Sequence, residues 1–268
     1  MKETEVSALA YIHPDAQIGE GVTIEPFATI KGDTEIGDGS WIGSNAVIQE
    51  GSRIGRNVKI FPGAVISSIP QDLKYKGEYT TVEIHDNAII REFATINRGT
   101  SYADKTVIGQ GVLIMAYAHV AHDCILGPKS IIANTVNIAG HVEIDECAVV
   151  GGSSAIHQFV KIGKHAMVGG GSLIRKDIPP FITVAREPLT YAGVNYRGLQ
   201  RRGFSPEQIR RIQEIYRVIF LSGMNNSQAL DHVEKHFPDS DERKLILNFI
   251  RDSRRGIVRG YSFMNGKH

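Results

Sequence analysis

The sequence predicts a parallel β-helix made of hexapeptide repeats, followed by a small α-helical C-terminal domain. Three observations support this fold class. An aliphatic residue recurs at almost every sixth position from Ile12 to Ile174. The 28 glycines, against 10 phenylalanines and 1 tryptophan, form a turn-rich composition that disfavours a helical bundle. Beyond residue 190 the repeat is lost and apolar residues recur at helical spacing.

The period of six is nearly unbroken. Ten isoleucines follow one another at this spacing from Ile12 to Ile66, and the later frame is aliphatic except at Asp72, Glu78 and Tyr102. A helix needs a period near 3.6 and a half-buried strand a period of 2, so six indicates a strand plus a corner. A β-sandwich, the alternative, would need irregular spacing. Hexapeptide repeats are typical of parallel β-helices, in which three repeats complete one triangular turn with the aliphatic side chains inside.

Small residues accompany the aliphatic ones at fixed positions. A small or β-branched residue, such as Ala28 or Ala46, stands four positions later and is expected to ease the corner. Glycine directly after the aliphatic residue, as at Gly19 and Gly37, suits a tight bend in which a Cβ atom would be unfavourable.

Two segments interrupt the repeat and then return to its frame. Residues 67–83 contain charged and aromatic side chains, and an excursion from a rigid solenoid is where function is usually located. Residues 99–107 are predicted to form a surface loop with no visible chemistry. We therefore expect a β-helix over residues 1–190 with loop excursions at 67–83 and 99–107.

Residues 191–268 are predicted to form the helical domain. Ser205, Pro206 and Glu207 combine an N-cap, a first-turn proline and an acid, and apolar residues follow at helical spacing. A second helix is predicted to begin near Ser240. Because a repeat stack has an open end, we expect this domain to cover it.

Charge, termini and cysteines narrow the function classes. Lys and Arg total 30 against 29 for Asp and Glu, a net charge of +1 that disfavours dedicated nucleic-acid binding. The N-terminus has no apolar stretch long enough for a signal peptide or transmembrane segment, so a cytoplasmic location is expected. Cys124 and Cys147 form no CxxC motif and are expected to be structural, without a disulfide or a metal site.

Four of the ten histidines lie within a short part of the repeat: His119, His122, His141 and His157. In an uninterrupted β-helix, residues one triangular turn apart lie on the same face at about 4.8 Å. This spacing places Gly140 one rung above His122 and Gln158 above Gly140, while His141 lies above Asp123. One strip of surface is thus predicted to collect imidazoles, a carboxylate and a glycine amide.

The strip is suited to acyl transfer through a general base. Neutral His122 can abstract a proton from a hydroxyl, and Asp123 can orient the ring or stabilise the imidazolium. No serine or cysteine is clearly placed as a nucleophile, so direct transfer is simpler than an acyl-enzyme. The Gly140 amide can stabilise a tetrahedral oxyanion. Accidental clustering of exposed polar residues is the alternative.

Two further features suggest substrate contacts. Gly170 ends a column of small residues on the next face that can form a groove for a long apolar chain, although glycine at a corner also has a purely structural explanation. Asn195 stands near Arg201 and Arg202, and arginine forks suit phosphates. A solvated basic turn is the alternative for this second feature.

Several segments match a known family closely: HVAHDCILG (119–127), AGH (139–141), HQF (157–159), QDLKYKGE (71–78) and GVNYRGLQRRGF (193–204). On these segments, and over essentially the whole chain, the sequence resembles the UDP-N-acetylglucosamine O-acyltransferases among the hexapeptide-repeat acyltransferases. The resemblance implies a left-handed β-helix, against the general preference for right-handed crossovers. It also implies a homotrimer with active sites between subunits.

The resemblance further implies the reaction. An (R)-3-hydroxyacyl group is transferred from acyl carrier protein to the 3-position of UDP-N-acetylglucosamine, the first step of lipid A biosynthesis. The acyl group arrives on the phosphopantetheine of the carrier protein, with no other cofactor and no metal. His122 matches the general base, Asp123 its partner and Gly140 the oxyanion amide.

Other positions match the family's substrate contacts. Gly170 matches the position that limits acyl-chain length, where glycine leaves room for a longer chain. Arg201 and Arg202 lie in the nucleotide-binding segment, with a further role in docking the acidic carrier protein. The matching substrate-binding positions are Asp72, Lys74, Asn97, His119, His141, His157, Gln158, Asn195, Arg201 and Arg202.

Two departures leave alternatives open. Asn97 replaces a histidine of the segment often read IHRGT, so the acceptor is either the ordinary sugar nucleotide or its 3-amino analogue. Arg197 stands where an acidic residue is common, which affects the nucleotide contacts. Rival interpretations are the later N-acyltransferase of the pathway, which needs an N-terminal sugar-binding domain not seen before Ile12, a zinc-dependent lyase resembling γ-class carbonic anhydrases, and a non-catalytic scaffold.

Overall fold

The structure, a computed structural model, describes residues 4–260 and forms a triangular prism of short strands with helices at its C-terminal end. The strands are β1 (Glu5–Val6), β2 (Tyr11–Ile12), β3 (Gln17–Ile18), β4 (Thr23–Ile24), β5 (Thr29–Ile30), β6 (Thr34–Ile36), β7 (Trp41–Ile42), β8 (Val47–Ile48), β9 (Ser52–Ile54), β10 (Lys59–Ile60), β11 (Val65–Ser68), β12 (Thr81–Ile84), β13 (Ile89–Ile90), β14 (Thr95–Asn97), β15 (Lys105–Ile108), β16 (Leu113–Ile114), β17 (His119–Val120), β18 (Ile125–Leu126), β19 (Ile131–Ile132), β20 (Asn137–Ile138), β21 (Glu143–Ile144), β22 (Val149–Val150), β23 (Ala155–Ile156), β24 (Lys161–Ile162), β25 (Met167–Val168), β26 (Leu173–Ile174), β27 (Ile182–Ala185) and β28 (Thr190–Val194). The helices are α1 (Tyr196–Arg201), α2 (Pro206–Leu221), α3 (Asn226–His236) and α4 (Asp241–Arg251).

Three sheets form the faces of the prism. Face 1 is the 11-stranded sheet that begins β1-β4-β7, face 2 is the 9-stranded sheet β2-β5-β8 to β26, and face 3 is the 8-stranded sheet β3-β6-β9 to β24. Each strand from β1 to β23 pairs in parallel with the strand three places further along the chain, as His119 of β17 does with Asn137 of β20. β27 and β28 pair antiparallel at the end of face 1. The predicted triangular turn of three hexapeptides is therefore confirmed.

The interior is filled by the aliphatic frame. Ile30, Ile48 and Ile66 are 0% exposed, and so are the small residues Ala28 and Ala46 that were expected at the corners. The aliphatic residue and the small residue of a repeat therefore both point into the prism, and the small side chain lies where two faces converge. Burial of each isoleucine side chain contributes about 1.5–3 kcal/mol relative to leaving it exposed.

Glycine at the repeat's second position has a different cause from the one expected. A Cβ atom at Gly37 would lie 2.6 Å from the backbone carbon of Gly55 on the next rung, so close stacking of rungs excludes it. The left-handed backbone occurs two residues later, at Gly39 (φ 68°) and at Asn57 (φ 54°). Asparagine is one of the few residues that tolerates this conformation.

The three corners of the prism are named here by the faces they join. The first edge joins faces 1 and 2, the second edge joins faces 2 and 3, and the third edge joins faces 3 and 1. Both excursions leave the prism at the second edge, with residues 69–80 between β11 and β12 and residues 98–104 between β14 and β15. They lie on successive rungs, directly before the rung formed by β17 and β18.

Two of the helices, α2 and α4, begin where the sequence predicts their caps. Ser205 caps α2 in a reciprocal capping box with Gln208, and Ser240 caps α4. The sequence reasoning did not predict α1 or α3, although Asn225 caps α3 in the same way.

The helical part packs directly on the end of the solenoid. The Tyr216 hydroxyl donates a hydrogen bond to the Pro180 carbonyl at 2.6 Å, and Ile257 forms a bridge with Asp177. The predicted domain boundary at residue 190 falls inside the antiparallel pair of β27 and β28, and the last eight residues of the predicted domain lie outside the described range.

Two expectations about the whole chain can be compared with the structure. Within residues 4–260, none of the helices has the length and apolar composition needed to cross a bilayer. Cys124 and Cys147 are both buried free thiols, and burial raises the pKa of Cys124 to about 12.

Substitution of glycine should separate close stacking from backbone conformation. Gly37→Ala should lower the free energy of unfolding by about 1–3 kcal/mol, because the new methyl group would overlap the backbone of Gly55. Gly111→Asn is the matched control, because Gly111 has φ 65°, the same corner carries Asn57 and Asn87, and the nearest atom to its Cβ is 3.6 Å away. Denaturant unfolding measures both variants, and equal stability would contradict the stacking argument.

Candidate active site

His122 and Asp123 lie side by side at the second edge, between β17 and β18. Each is 5% exposed, and His122 Nδ1 lies 2.7 Å from Asp123 Oδ2. Asp123 has a left-handed backbone (φ 58°), a conformation that aspartate tolerates better than most residues. An ionised carboxylate only accepts, so Nδ1 of His122 is assigned the proton. The lone pair of Nε2 is then available to a substrate.

Asp123 is held from the opposite side by Thr100 of the shorter excursion. The Thr100 N–H donates to Oδ1 at 2.9 Å and the Thr100 hydroxyl donates to Oδ2 at 2.6 Å. Burial by itself raises the pKa of Asp123, but the hydrogen bonds from His122 and Thr100 outweigh it, and the pKa of this carboxyl is lowered. Asp123 is therefore ionised at neutral pH although its side chain is buried.

The next rungs of the second edge stack above this pair as the sequence spacing predicted. A Cβ atom at Gly140 would lie 2.6 Å from His122 Nε2, so only glycine permits this approach. Among the described residues, the Gly140 N–H donates to no other group. The His141 ring stacks on Phe159 with centroids 4.3 Å apart and lies edge-on to Tyr102 at 4.5 Å.

Burial lowers the pKa of the two neighbouring imidazoles. The pKa of His119 is lowered by burial and by the nearby His122, and that of His141 is lowered mainly by burial. His119 also shares a 2.7 Å hydrogen bond with the Thr95 hydroxyl. Neutral neighbours avoid adding positive charge beside His122.

The longer excursion brings a second carboxylate to His122. Asp72 Oδ2 lies 4.0 Å from His122 Nε2, while Asp72 Oδ1 accepts from the backbone N–H of Lys74. Glu78 of the same loop accepts at 3.2 Å from the N–H of Ser101. A hydrogen bond thus joins the two excursions beside His122, the proposed base.

Asn97 lies under the base of the longer excursion rather than in an open pocket. It is 3% exposed, and its Nδ2 donates to the carbonyl of Ile69 at 2.7 Å and to that of Ser68 at 3.3 Å. The position that departs from the family pattern therefore anchors the loop bearing Asp72.

His157 and Gln158 continue the second edge above Gly140. Both side chains are exposed, and the described contact between them is His157 Nδ1 with the Gln158 carbonyl at 3.2 Å. They lie on the predicted strip, and no residue between 4 and 260 encloses them.

Asn195, Arg201 and Arg202 lie on the third edge. Arg201 and Arg202 are exposed and border a cavity of about 550 Å³ that His165 also lines. Asn195 caps α1 and donates from Nδ2 to the His165 carbonyl at 2.9 Å. Burial, with Lys164 and Arg202 nearby, lowers the pKa of His165 to about 4.

Gly170 lies on the first edge, above Gly152. It is exposed, and a Cβ atom there would lie 3.1 Å from the Gly152 carbonyl oxygen. The predicted site residues therefore occupy three different edges of the prism. Asp72, Asp123, Gly140 and His141 lie next to His122, whereas Arg202 and Gly170 lie on other edges.

One group in the described part of the chain has the residue types for a metal. Candidate ligand atoms of His122, Asp123 and His141 lie within 4.8 Å of one another. Asp123 Oδ2, however, already accepts hydrogen bonds from both His122 and Thr100. A metal ion bound through this oxygen would have to displace charge-assisted hydrogen bonds. The group fits an acid–base pair better than a zinc centre.

Thr100 and Tyr102 lie within residues 99–107, which the sequence predicts to be a surface loop without chemistry. Their positions depend on contacts with distant segments, so no local pattern reveals them. Phe159 could have been found, since it stands one turn beyond His141 in the repeat frame.

Comparison with known proteins agrees with the fold. The profile described as bacterial transferase hexapeptide (six repeats) matches residues 33–68 and 105–140. The profile described as UDP N-acetylglucosamine O-acyltransferase, domain 2, matches residues 177–258. With a polar His–Asp pair on its edge, the prism defines a hexapeptide-repeat acyltransferase.

Relatives and solved structures align over nearly the whole chain. A protein from Thermodesulfovibrio yellowstonii is 41% identical, covering 95% of this chain and 99% of its own. One from Alkalilimnicola ehrlichii is 43% identical, covering 96% and 100%. Both are named as acyl-carrier-protein-dependent UDP-N-acetylglucosamine O-acyltransferases. The chain belongs to the UDP-N-acetylglucosamine O-acyltransferase family, as the sequence resemblance implied.

The solved structures confirm the left-handed β-helix with its helical C-terminal part. LpxA, a UDP-N-acetylglucosamine acyltransferase from Bacteroides fragilis, is 50% identical with a TM-score of 0.93, covering 94% of this chain and 99% of that one. LpxA from Acinetobacter baumannii is 41% identical with a TM-score of 0.92, covering 95% and 99%.

Loss of the Asn97 anchor should loosen the longer excursion. Asn97→Ala removes the hydrogen bonds to Ser68 and Ile69, so trypsin should cut after Lys74 or Lys76 roughly fivefold to thirtyfold faster than in the wild type. Asn137→Ala, an exposed asparagine on the same face, is the control. Equal cleavage rates in the two variants would show that Asn97 does not hold the loop.

Proposed function

We propose that this protein transfers an (R)-3-hydroxyacyl group from acyl carrier protein to the 3-hydroxyl of UDP-N-acetylglucosamine, opening lipid A biosynthesis in the cytoplasm. The observation that supports this most is the buried His122–Asp123 pair, because Gly140 stacks directly on the His122 ring and its N–H donates to no other described group. Family membership gives the substrates, and this pair gives the chemistry that joins them.

The proposed reaction needs one base and one oxyanion donor. Nε2 of His122 takes the proton of the sugar 3-hydroxyl, whose oxygen attacks the thioester carbonyl. The Gly140 N–H stabilises the resulting oxyanion. Collapse breaks the carbon–sulfur bond, and the imidazolium of His122 returns the proton to the departing phosphopantetheine sulfur. Asp123 stabilises the imidazolium between these two proton transfers.

The sugar is proposed to lie between His122 and the longer excursion, where Asp72 and Lys74 are within reach. His119, His141, His157 and Gln158 are proposed to complete the pocket. Because Asn97 donates its amide to loop carbonyls, its proposed effect on the sugar is through the loop. The 3-amino analogue of the sugar nucleotide remains the alternative acceptor.

The nucleotide and acyl contacts are proposed to come from other edges of neighbouring chains. His122 lies on the second edge, Arg202 on the third and Gly170 on the first, so one prism does not bring them together. A homotrimer of prisms lying side by side can place the second edge of one chain against another edge of its neighbour. Arg201 and Arg202 are proposed to bind the nucleotide phosphates with Asn195, and to contribute to carrier-protein docking.

Replacement of the base should abolish the reaction while the fold remains. With (R)-3-hydroxyacyl carrier protein and UDP-N-acetylglucosamine, His122→Ala should lower kcat by about 10²–10⁴-fold. His85→Ala, an exposed histidine on face 3, is the control and should behave like the wild type. Mass spectrometry of the sugar nucleotide measures the product, and equal turnover in His122→Ala would exclude His122 as the base.

The same assay separates the alternatives. Preference for the 3-amino analogue would mean that the acceptor atom is nitrogen and not oxygen. The acyl-chain length of the preferred donor would show whether Gly170 leaves room for a long chain. Stoichiometric zinc in the purified protein, with no acyl transfer to either acceptor, would favour the metal-dependent lyase. We expect chelation to leave turnover unchanged.

Mixed assemblies should reveal whether sites draw on two chains. His122→Ala and Arg202→Ala should each be inactive alone. When the two are co-expressed and the mixed trimers are purified through two tags, about one third of the sites should be restored, because His122 and Arg202 of one site come from different chains. Mixing His122→Ala with Asp123→Ala, which alter the same edge, should restore nothing. Recovery in neither mixture would contradict shared sites.

A further inference from the structure

We propose that Thr100 is a positioning residue for the acyl transfer. Its backbone N–H and its hydroxyl hold the Asp123 carboxylate, and the carboxylate in turn orients the His122 ring. The inference rests on the proposed function, since the experiments below measure the proposed acyl transfer. It assigns a role to the shorter excursion, whose sequence shows no chemistry.

Each oxygen of Asp123 receives one hydrogen bond from Thr100. Oδ1 accepts from the backbone N–H at 2.9 Å, and Oδ2 accepts from the hydroxyl at 2.6 Å. Rotation of the carboxylate would break both contacts at once. Oδ2 therefore stays 2.7 Å from His122 Nδ1.

The direction of the Thr100 hydroxyl proton is also determined. The Thr100 oxygen accepts from the N–H of Tyr102 at 3.2 Å, which occupies one of its lone pairs. Asp123 is ionised and cannot donate, so the hydroxyl proton must point to Oδ2. Thr100 is a fixed donor at this position rather than a freely rotating hydroxyl.

A competing partner explains why the carboxylate needs to be fixed. His141 Nδ1 lies 3.6 Å from the same Oδ2 of Asp123 and has no hydrogen bond within the described residues. A small rotation of Asp123 would favour His141 over His122. The two donors of Thr100 oppose that rotation, so the Asp123 carboxylate stays hydrogen-bonded to His122, the imidazole next to Gly140.

Backbone contacts within the shorter excursion hold Thr100 in place. Its carbonyl accepts from the N–H of Asp104 at 2.8 Å, and Gly99 lies so close to the backbone of Lys105 that a Cβ atom there would overlap it. The Ser101 N–H donates to Glu78 of the longer excursion. Thr100 therefore has little freedom to move away from Asp123.

Substitution of the hydroxyl tests this role. Thr100→Val keeps the backbone N–H but removes the bond to Oδ2, so kcat should fall about 10- to 100-fold with KM nearly unchanged. Thr100→Ser should restore most of the turnover. Thr106→Val is the matched control, because the buried Thr106 hydroxyl has no hydrogen-bond partner within the described residues and its loss should leave turnover unchanged.

A double-mutant cycle distinguishes positioning from a general structural effect. In an Asp123→Ala background, Thr100→Val should cause no further loss of kcat, because Thr100 acts through Asp123. An equal loss in both backgrounds, or a loss that appears in KM alone, would overturn the proposal. So would a Thr100→Val variant with wild-type turnover.

Proton NMR gives a readout that does not depend on turnover. The imidazole N–H of His122 bonded to Asp123 should give a far-downfield resonance that is absent in His122→Ala and shifted or lost in Thr100→Val. If the wild type shows no acyl transfer but this shift is seen, the proposed function fails while Thr100 keeps its positioning role. An unchanged resonance in Thr100→Val would overturn that role.

Discussion

The vertical register of the parallel strands determines the position of every side chain around His122. β17 pairs with β20 and β20 with β23, so equivalent residues of successive repeats stack at the strand spacing of about 4.8 Å. The aliphatic frame enforces this register, because a slip of one residue would turn the interior side chains outward. The placement of Gly140 against the His122 ring is thus a consequence of the hydrophobic core, and it needs no support from flexible segments.

The outer surface of the β-helix has no enclosed site for a charged side chain, and the two excursions enclose such a site at the second edge. Both leave the second edge on the rungs before His122, and they are bonded to each other through Glu78 and Ser101. A buried carboxylate is costly unless hydrogen bonds replace its water. Asp123 receives three such bonds, one from His122 and two from Thr100. The excursions therefore make an ionised group possible at a buried corner.

The parts of the structure that follow from periodicity could be predicted from the sequence. The frame of six gives the interior residues, and the spacing of one turn gives the stacking of Gly140 on His122; Ser205 and Ser240 mark helix caps by local chemistry alone. Thr100 could not be predicted, because the path of its excursion depends on the hydrogen bond from Ser101 to Glu78 and on the close approach of Gly99 to the Lys105 backbone, which no local pattern encodes. The role of Asn97 was equally hidden, since its partners belong to the other excursion.

The separation of the remaining site residues follows from the shape of the solenoid. The edges of a triangular prism diverge from its filled interior, so side chains on two edges of one chain face different directions whatever their identity. Rotating a side chain cannot bring Arg202 on the third edge to His122 on the second. A substrate as long as a sugar nucleotide with its acyl donor can meet both only where two prisms lie side by side. The proposed assembly therefore builds a pocket by joining two rigid edges, which requires no flexible lid and keeps the register that positions His122.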